Sequence, residues 1–391
     1  MPCNPVRVLF LMARTGGGHL SVSQAIAQAL QHHCGDAVRT TLVDALADYA
    51  PFPFSHLEDF YPLWIGRLVW SWRWGYRLTD GPHRATVIMR LFWPLAWPAT
   101  RRLLREQPAD VIVSAHPLTN HPLLWGIRRL KLATRLVTVV TDPVSVHPFW
   151  LAPGVDRCLV GSQEARRKAL ACGLASERVR ITGLPVSRGF AAGLTGPAAA
   201  RRELGWPVDE RPVVLLVGGG EGMGGLEAIA QAINQARPNA RLAIVAGRNE
   251  RMRQRLQAVA WHLPAHVYGF VQHMPVLMSA ADLLITKAGP STLSEAFIAG
   301  LPMILSSAIP GQEEGNVRWV VENGAGVWAP DPTQIATLVS RWTSPASKTL
   351  ESMAKRSSVL ARPQAADQVA EEVWQVACRK ESCRNGLTKG R

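Results

Sequence analysis

The sequence predicts an α/β protein made of two doubly wound parallel sheets of Rossmann-like type, facing a central cleft. Three observations carry that prediction. Short β-branched runs alternate with helical patterns twice along the chain, with one break near residue 200. Each half opens on an apolar run that passes through a glycine-rich loop into a helix: "VRVLFLMARTGGGHLS" from residue 6 and "PVVLLVGGGEGMGGLEAI" from residue 212. The 391 residues, 47% of them hydrophobic and 18% charged, are enough for two buried cores. Strands that read as continuous apolar runs between helices belong to parallel sheets covered on both faces.

In the first half "VRVLFLMA", "AVRTTLVDA", "ADVIVSAH", "RLVTVVTD", "RCLVGS" and "VRITGLPV" are the strand candidates, with a helix expected from about Ser21 to His33. Residues 1–190 form the first domain on this reading. The stretch "FAAGLTGPAAARRELGWPVDER" loses its strand signal and gains Gly, Pro and Ala, so 191–210 is read as a linker continuing into a short helix. A second alternation over 211–362 runs through "PVVLLVGGG", "ARLAIVAGR", "AHVYGFV", "ADLLITKAG" and "LPMILSS". The helical pattern of 363–380 is expected to return to the first domain, and 363–391 ends in a basic tail. Two such sheets place the carboxyl ends of their strands, where open α/β sheets bind ligands, on one cleft.

One segment breaks the alternation. Residues 61–105 hold six tryptophans and eight arginines against a single acid, Asp80. Aromatic rings interleaved with cations suit a membrane interface, where rings lie at headgroup depth and arginines meet lipid phosphate. Trp70, Trp72, Trp74, Arg73 and Arg77 are the expected contacts; a pair of core helices is the plainer alternative. The net charge of +14 and sequence pI near 10.2 agree with an anionic surface or ligand. Nucleic acid is disfavoured, because the cations cluster with tryptophans. No uncharged run is long enough to cross a bilayer, since "AFIAGLPMILSSAIPGQ" is broken by Gly300, Pro302, Pro310 and Gly311. The amino terminus has neither a basic start nor a cleavage site, so no leader is expected. The six cysteines form no CxxC pair, which points to a reducing compartment and to no metal site.

The chemistry concentrates at strand-to-helix junctions. In "RTGGGHLS" the glycines, Gly17 and Gly18 among them, permit close approach to the main chain, and the following helix offers free N–H groups. His19 is the titratable group there, with an ordinary pKa near neutrality that suits a general base; a tight turn with an exposed histidine is the alternative. In the second half Gly219 and Gly220 repeat the arrangement. Arg248, near the tip of "AIVAGRNE", favours a phosphate over a ribose diol, and no acid closes a dinucleotide fingerprint. In "ITKAGPSTLSEAFIAGLP", Gly289 and Pro290 turn the chain, and Ser291 and Thr292 stand where helix caps belong. Glu295 in the following turn is either a capping-box partner or a carboxylate for a ribose diol. In "IPGQEEGNVRW", Gln312, Glu313 and Asn316 form a polar cluster able to read sugar hydroxyls, or else a solvated helix start.

These stretches, together with "TDPVSVHPFW", "GLPV", "YGFV" and "PGQEEGN…NGAG", resemble in order and content the lipid-directed glycosyltransferases. These are the monogalactosyldiacylglycerol synthases and bacterial diacylglycerol glucosyltransferases, relatives of the peptidoglycan N-acetylglucosaminyltransferase. The resemblance runs from about residue 6 to about 345. It implies the two-domain GT-B fold, a UDP-hexose donor held by the C-terminal domain, a diacylglycerol acceptor, and inverting transfer of galactose or glucose with no metal and no cofactor. It implies His19 as base, and Phe270 and Val271, with Met274 beside them, as the loop reading uracil. Ser291 and Thr292 become the pyrophosphate cap, Glu295 the ribose carboxylate, and Gln312 and Glu313 the hexose readers. Asp142, His147 and Trp150 face the acceptor side. Leu20 and Ser21 stand where members often show Arg-Ala, Ser187 stands where an arginine is frequent with Arg188 one place late, and "GPST" replaces "GPGT". The implied location is peripheral, on the cytoplasmic face of a bacterial inner membrane. Two alternatives remain at this stage: a polyprenyl-linked or other lipid acceptor, and a non-catalytic nucleotide-sugar-binding regulator.

Overall fold

The computed structural model describes residues 4–14, 17–59, 64, 68–220 and 225–386, the side chains of 379–386 excepted. Parts of three sequence motifs lie outside the described residues: Thr15 and Gly16 of the first glycine loop, 221–224 of the second, and 60–63 with 65–67 of the tryptophan-rich segment.

Two six-stranded, wholly parallel sheets organise the chain. The first contains β1 (Val6–Met12), β2 (Val38–Asp44), β3 (Val111–Ser114), β4 (Arg135–Val139), β5 (Arg157–Val160) and β6 (Val179–Ile181), in the order β2-β1-β3-β4-β5-β6. The second contains β7 (Val213–Val217), β8 (Arg241–Val245), β9 (Ala265–Tyr268), β10 (Leu283–Lys287), β11 (Met303–Ser307) and β12 (Gly326–Trp328), in the order β12-β11-β10-β7-β8-β9. The central strands β1, β3, β7 and β10 are mostly apolar because both of their faces are covered, whereas the edge strands β2 and β6 carry exposed polar positions. In β1, Leu9 and Leu11 join one core with Ile112 and Leu136, while Val8 and Phe10 join the opposite one with Val111 and Val137. Successive side chains of a strand point to opposite faces, so one run feeds two cores.

Contact clustering gives two units. The first comprises Met1–Arg188, Pro310–Gln312 and Gln364–Arg391; the second comprises Gly189–Ile309 and Glu313–Pro363. The terminal helix Ala365–Gly386 sits in the first unit. Its Ala366, Val369, Ala370, Val373, Val376 and Ala377 recur at helical spacing in the core that contains Phe10. Arg157 pairs with Glu372 at 2.9 Å, and Asp367 takes both His33 and Arg188 at 2.9 Å. The 191–210 stretch contains the short helix expected there. It is the helix Pro197–Glu203, in which buried Arg201 donates to Asp282 at 2.6 Å and to the carbonyl of Ala280 at 3.1 Å. Alanine and arginine, both good helix formers, outweigh the flanking Gly and Pro.

Among the described residues between β2 and β3 are the helices Val69–Thr79 and Pro82–Glu106. The second buries Ala85, Met89, Thr100, Leu103 and Leu104 against the unit and leaves Val87, Leu91, Phe92 and Leu95 outward. The tryptophans divide. Trp70 and Trp74 are 67% and 65% exposed. Trp72 instead packs edge-on against Trp64 at 5.3 Å and near Tyr76 at 6.5 Å, which corrects the expectation that it faces outward with its neighbours. Trp93 and Trp97 are half-buried, with Trp93 packed against both Trp97 and Trp125 and Arg129 over the Trp97 ring. Arg73 and Arg77 are exposed. Tyr76 Oη donating to the carbonyl of Ser145, and Lys168 pairing with Asp80 at 2.8 Å, hold the helix pair to the unit.

Candidate active site

Each sheet has one place where the chain reverses its direction of strand addition, and there neighbouring loops part to leave a crevice. In the first sheet that place lies between β1 and β3, and in the second between β7 and β10. The candidate residues gather at both.

In the first unit the helix after β1 begins at Gly17, earlier than the Ser21 expected, so His19 lies within its first turn rather than in a loop before it. His19 Nδ1 is 3.1 Å from Thr141 Oγ1, and the ring also hydrogen-bonds the backbone of Ala115. Its centroid lies 5.1 Å from His116 and 5.9 Å from Trp150. Burial pushes its pKa down to about 4, well below the near-neutral value expected, while the Ala115 backbone and the Asp44 charge pull the other way. The imidazole is therefore neutral throughout the physiological range. It can take a proton, and Ala115 and Asp44 stabilise the imidazolium that results. Asp44 is itself fixed at the end of β2, accepting from the amides of Arg14, Leu46 and Ala47.

Asp142 is buried and accepts from Trp150 Nε1 at 2.8 Å and from Gln312 Nε2 at 3.3 Å. Gln312 is thus grouped with the first unit and separated from Glu313. His147 and Trp150, in the segment expected to face the acceptor, have buried side chains. His147 Nδ1 accepts from the amide of Phe149, so Nε2 carries the proton and donates to Thr79 Oγ1 at 2.9 Å. With its ring against Tyr76 it anchors the 69–79 helix, and burial lowers its pKa to about 4.

In the second unit Gly219 (φ +73°) and Gly220 follow β7. Gly247 packs so closely on Gly220 that a Cβ there would strike its carbonyl, and Arg248 N donates to that same carbonyl at 2.8 Å. The Arg248 guanidinium lies 4.6 Å from the centroid of Phe270, a ring 57% exposed. Val271 is half-buried, and Met274 opens the helix Met274–Ala280.

After β10 the helix Pro290–Ile298 is capped by Gly289, not by Ser291 or Thr292, with Pro290 at its first position. Ser291 and Thr292 are therefore the second and third helical residues, where free N–H groups lie. Glu295 falls one turn later and cannot form a capping box with a cap three residues away. Its carboxylate has no hydrogen-bond partner among the described residues, and burial raises its pKa to about 7. Ser291 Oγ is likewise buried without a partner. Glu313 is 2% exposed and already committed, taking Lys287 Nζ at 2.7 Å and the Ile309 amide at 2.9 Å. That corrects both of its expected roles, hexose reader and solvated helix start. Asn316 Nδ2 donates to the carbonyl of Ala288 at 3.0 Å, while its Oδ1 is buried without a partner. Arg188, one place late for the arginine frequent in the family, is paired with Asp367.

The sequence left several site residues unmarked. Lys287 closes β10, and its side chain reaches within 3.7 Å of where a Cβ on Gly219 would be, placing a cation at the second crevice; the signal was the lysine ending "LLITK". His116 and Thr141 end β3 and β4, and their signal was polarity directly after an apolar run. Behind them lies a buried polar network, with Ser114 Oγ 2.6 Å from Thr119 Oγ1 and Thr138 Oγ1 donating to Asn120 Oδ1 at 2.8 Å. Among the described residues no three His, Cys, Asp or Glu side chains gather as metal ligands would, and no helix is long and apolar enough to cross a membrane.

Residues 19–186 match the model of the monogalactosyldiacylglycerol (MGDG) synthase family, and residues 213–369 match the glycosyltransferase family 28 C-terminal domain. Monogalactosyldiacylglycerol synthase 1, chloroplastic, of Arabidopsis thaliana is 37% identical over 392 residues, covering 97% of this chain and 72% of that protein. That relative is chloroplastic, which differs from the bacterial inner membrane expected from the sequence. Among solved structures, Acinetobacter baumannii MurG aligns with a TM-score of 0.63 at 17% identity, covering 95% of this chain and all of that one. Anabaena Alr3699/HepE, solved with UDP and glucose, aligns at 0.52 and 15% identity over 97% of this chain and 99% of its own. These structural likenesses establish the fold as GT-B.

Proposed function

This chain belongs to the monogalactosyldiacylglycerol synthase family, and on that premise we propose that it moves galactose from UDP-galactose to the free hydroxyl of diacylglycerol, inverting the anomeric centre. It is a hexosyltransferase of GT-B fold. The observation that carries the finer reading is His19: a neutral imidazole in the first turn of a helix, at the crevice of the first sheet, with Thr141, Ala115 and Asp44 around it.

The acceptor hydroxyl gives its proton to the His19 ring as its oxygen attacks the anomeric carbon. The bond from that carbon to the UDP oxygen breaks on the opposite face, so an α-linked donor gives a β-galactoside. UDP leaves with the bonding pair. The backbone N–H groups of Ser291 and Thr292, with Lys287 and Arg248, are the donors for its phosphates. Glu295 accepts from the ribose hydroxyls, and Phe270 with Val271 lies against the uracil. These charge-stabilising groups belong to the protein itself, and we propose a reaction without metal or cofactor. For the acceptor we propose delivery from an anionic bilayer surface to which the enzyme attaches peripherally through Trp70, Trp74, Arg73 and Arg77.

Purified protein incubated with UDP-galactose or UDP-glucose and diacylglycerol vesicles tests this, with products resolved by sugar identity and anomeric configuration. A lipid-dependent β-galactoside is expected. UDP release without lipid, an α-product, or no transfer from either donor would overturn the reading.

A further inference from the structure

We propose that a cavity of about 340 Å3 in the first unit is a slot for one acyl chain of the lipid acceptor. The inference rests on the lipid-acceptor reading above and adds where one chain goes.

The cavity lies beneath the helix Pro82–Glu106. Its walls include Ala96 and Ala99 of that helix and Leu46, Ala50 and Phe54 from the segment after β2. Four polar side chains border it, and each spends its polar atom within the protein. Thr79 Oγ1 donates to the Gly75 carbonyl, Thr100 Oγ1 to that of Ala96, and Thr119 Oγ1 to that of His116; Tyr49 Oη accepts from Gln107. Ordered water needs two to four polar partners, and an apolar cavity without them stays dry or takes an apolar ligand.

Two groups of lining residues specify that ligand. Phe92 and Leu95 line the cavity while each remains 49% exposed, next to Leu91 at 74%, so it borders the outward apolar face of the helix. Leu118, Thr119 and Phe149 also line it. Thr119 is bonded to His116, whose ring lies against His19, and the amide of Phe149 is held by His147. The same cavity therefore borders both an exposed apolar face and the surroundings of the proposed base. A molecule with a long hydrocarbon tail and a hydroxyl head matches both. The volume admits about a dozen methylenes, each taking roughly the ~30 Å3 that a water does in the liquid. That accommodates one chain and leaves the second outside, on the exposed helix face.

Ala99→Phe and, from the facing wall, Ala50→Phe fill the slot. Two readouts are taken on the full-length chain: the affinity of a fluorescent dodecanoyl probe, and the ratio of kcat/KM on dipalmitoylglycerol to that on dihexanoylglycerol. In either variant that melts as the wild type does, probe binding and the ratio should each fall at least about tenfold, the loss expected when a few methylenes are denied burial. Folded variants that keep both the probe and the ratio while transferring sugar overturn the slot and leave the acceptor reading intact. A wild-type protein that binds the probe, loses it on filling, yet glycosylates no diacylglycerol keeps the slot and overturns the acceptor reading.

Discussion

The two units solve the same topological problem and put opposite chemistry into the solution. Each brings a strand end and a helix start to the place where its sheet changes direction, and each sets a titratable side chain near that start. In the first unit the group is His19, and desolvation drives it to about 4; in the second it is Glu295, and desolvation drives it to about 7. The same physical cause leaves both groups neutral between about pH 4 and pH 7, because burial penalises whichever form carries charge. What differs is the company. His19 has Thr141 within hydrogen-bonding distance, and Ala115 and Asp44 favour its protonated form. Glu295 and Ser291 have no side-chain hydrogen-bond partner among the described residues, and they belong to a helix with free amides whose cap, Gly289, lies close to Lys287 Nζ. A neutral base with supports suits a hydroxyl acceptor; an unpartnered carboxylate beside anion donors suits a nucleotide. The surfaces diverge too. The first unit carries an outward apolar helix pair, whereas among the described residues the large exposed apolar side chains of the second are scattered at Val208, Phe270, Val321, Trp328 and Val359.

The largest effect that would break this comparison is on His19. His19→Ala should lower kcat by about 10²- to 10⁴-fold, the usual worth of a general base, while calorimetry finds UDP affinity at the wild-type level. Turnover close to the wild type's would reduce His19 to a helix-start residue. Its pH signature follows from sign. The base works unprotonated, so kcat at saturating donor should hold as pH falls through 6 and decline only as pH approaches about 4.

Glu295→Gln comes next. It should raise the Kd for UDP on the order of tenfold to a hundredfold, as expected when a charge-assisted hydrogen bond to a ligand is removed. In the wild type, kcat/KM for the donor should rise with pH through about 7, because only the carboxylate accepts from both ribose hydroxyls. The variant should lose that dependence. Stability gives an independent check. The folded pKa near 7 exceeds the ordinary 4.5, so between those values the folded protein holds a proton that the unfolded chain has released. Wild-type stability therefore falls as pH rises across that window and stays lowered above it. Melting curves should show Glu295→Gln more stable than wild type at pH 8 and equal to it at pH 4. Equal curves at both would mean the carboxylate is not desolvated.

Most of the fold was legible because parallel strands buried on both faces leave an unbroken apolar signature; β1, β3, β7 and β10 all read that way. The two crevices were legible as glycine-bearing or Gly-Pro junctions. Less was visible wherever the answer depended on a partner distant in sequence. Nothing local shows that Glu313 would be spent on Lys287, or that His147 would hold Thr79. Helix starts slipped in both units for a local reason: Pro290 is at home at a first helical position, which moves the cap to Gly289, and Gly17 enters the helix that the glycine run was expected to precede. The 61–105 segment shows both sides. Its composition announced an interface, but only the packing separates Trp70 and Trp74, which face outward, from Trp72, which packs against Trp64.

That separation sharpens the comparison of surfaces, with the smallest expected effect. Arg73 and Arg77 should contribute on the order of 1 kcal/mol each to binding anionic lipid, an attraction that fades as the Debye length shrinks. Trp70 and Trp74 add an apolar contribution that salt does not screen. Sedimentation with anionic vesicles should therefore weaken with salt without vanishing. Replacing Trp70 and Trp74 together by serine should remove the salt-resistant part, a loss of roughly threefold to tenfold in partition, with a similar fall in activity on vesicle-borne acceptor. Trp328→Ser, on the second unit and 40% exposed, should leave sedimentation at the wild-type level. Trp72→Ser should instead lower the melting temperature, because it removes a ring packed between Trp64 and Tyr76. If the Trp70/Trp74 double variant sediments as the wild type does at high salt, or if Trp328→Ser weakens binding equally, the membrane-facing character assigned to the first unit is wrong. The apolar helix face would then need another occupant.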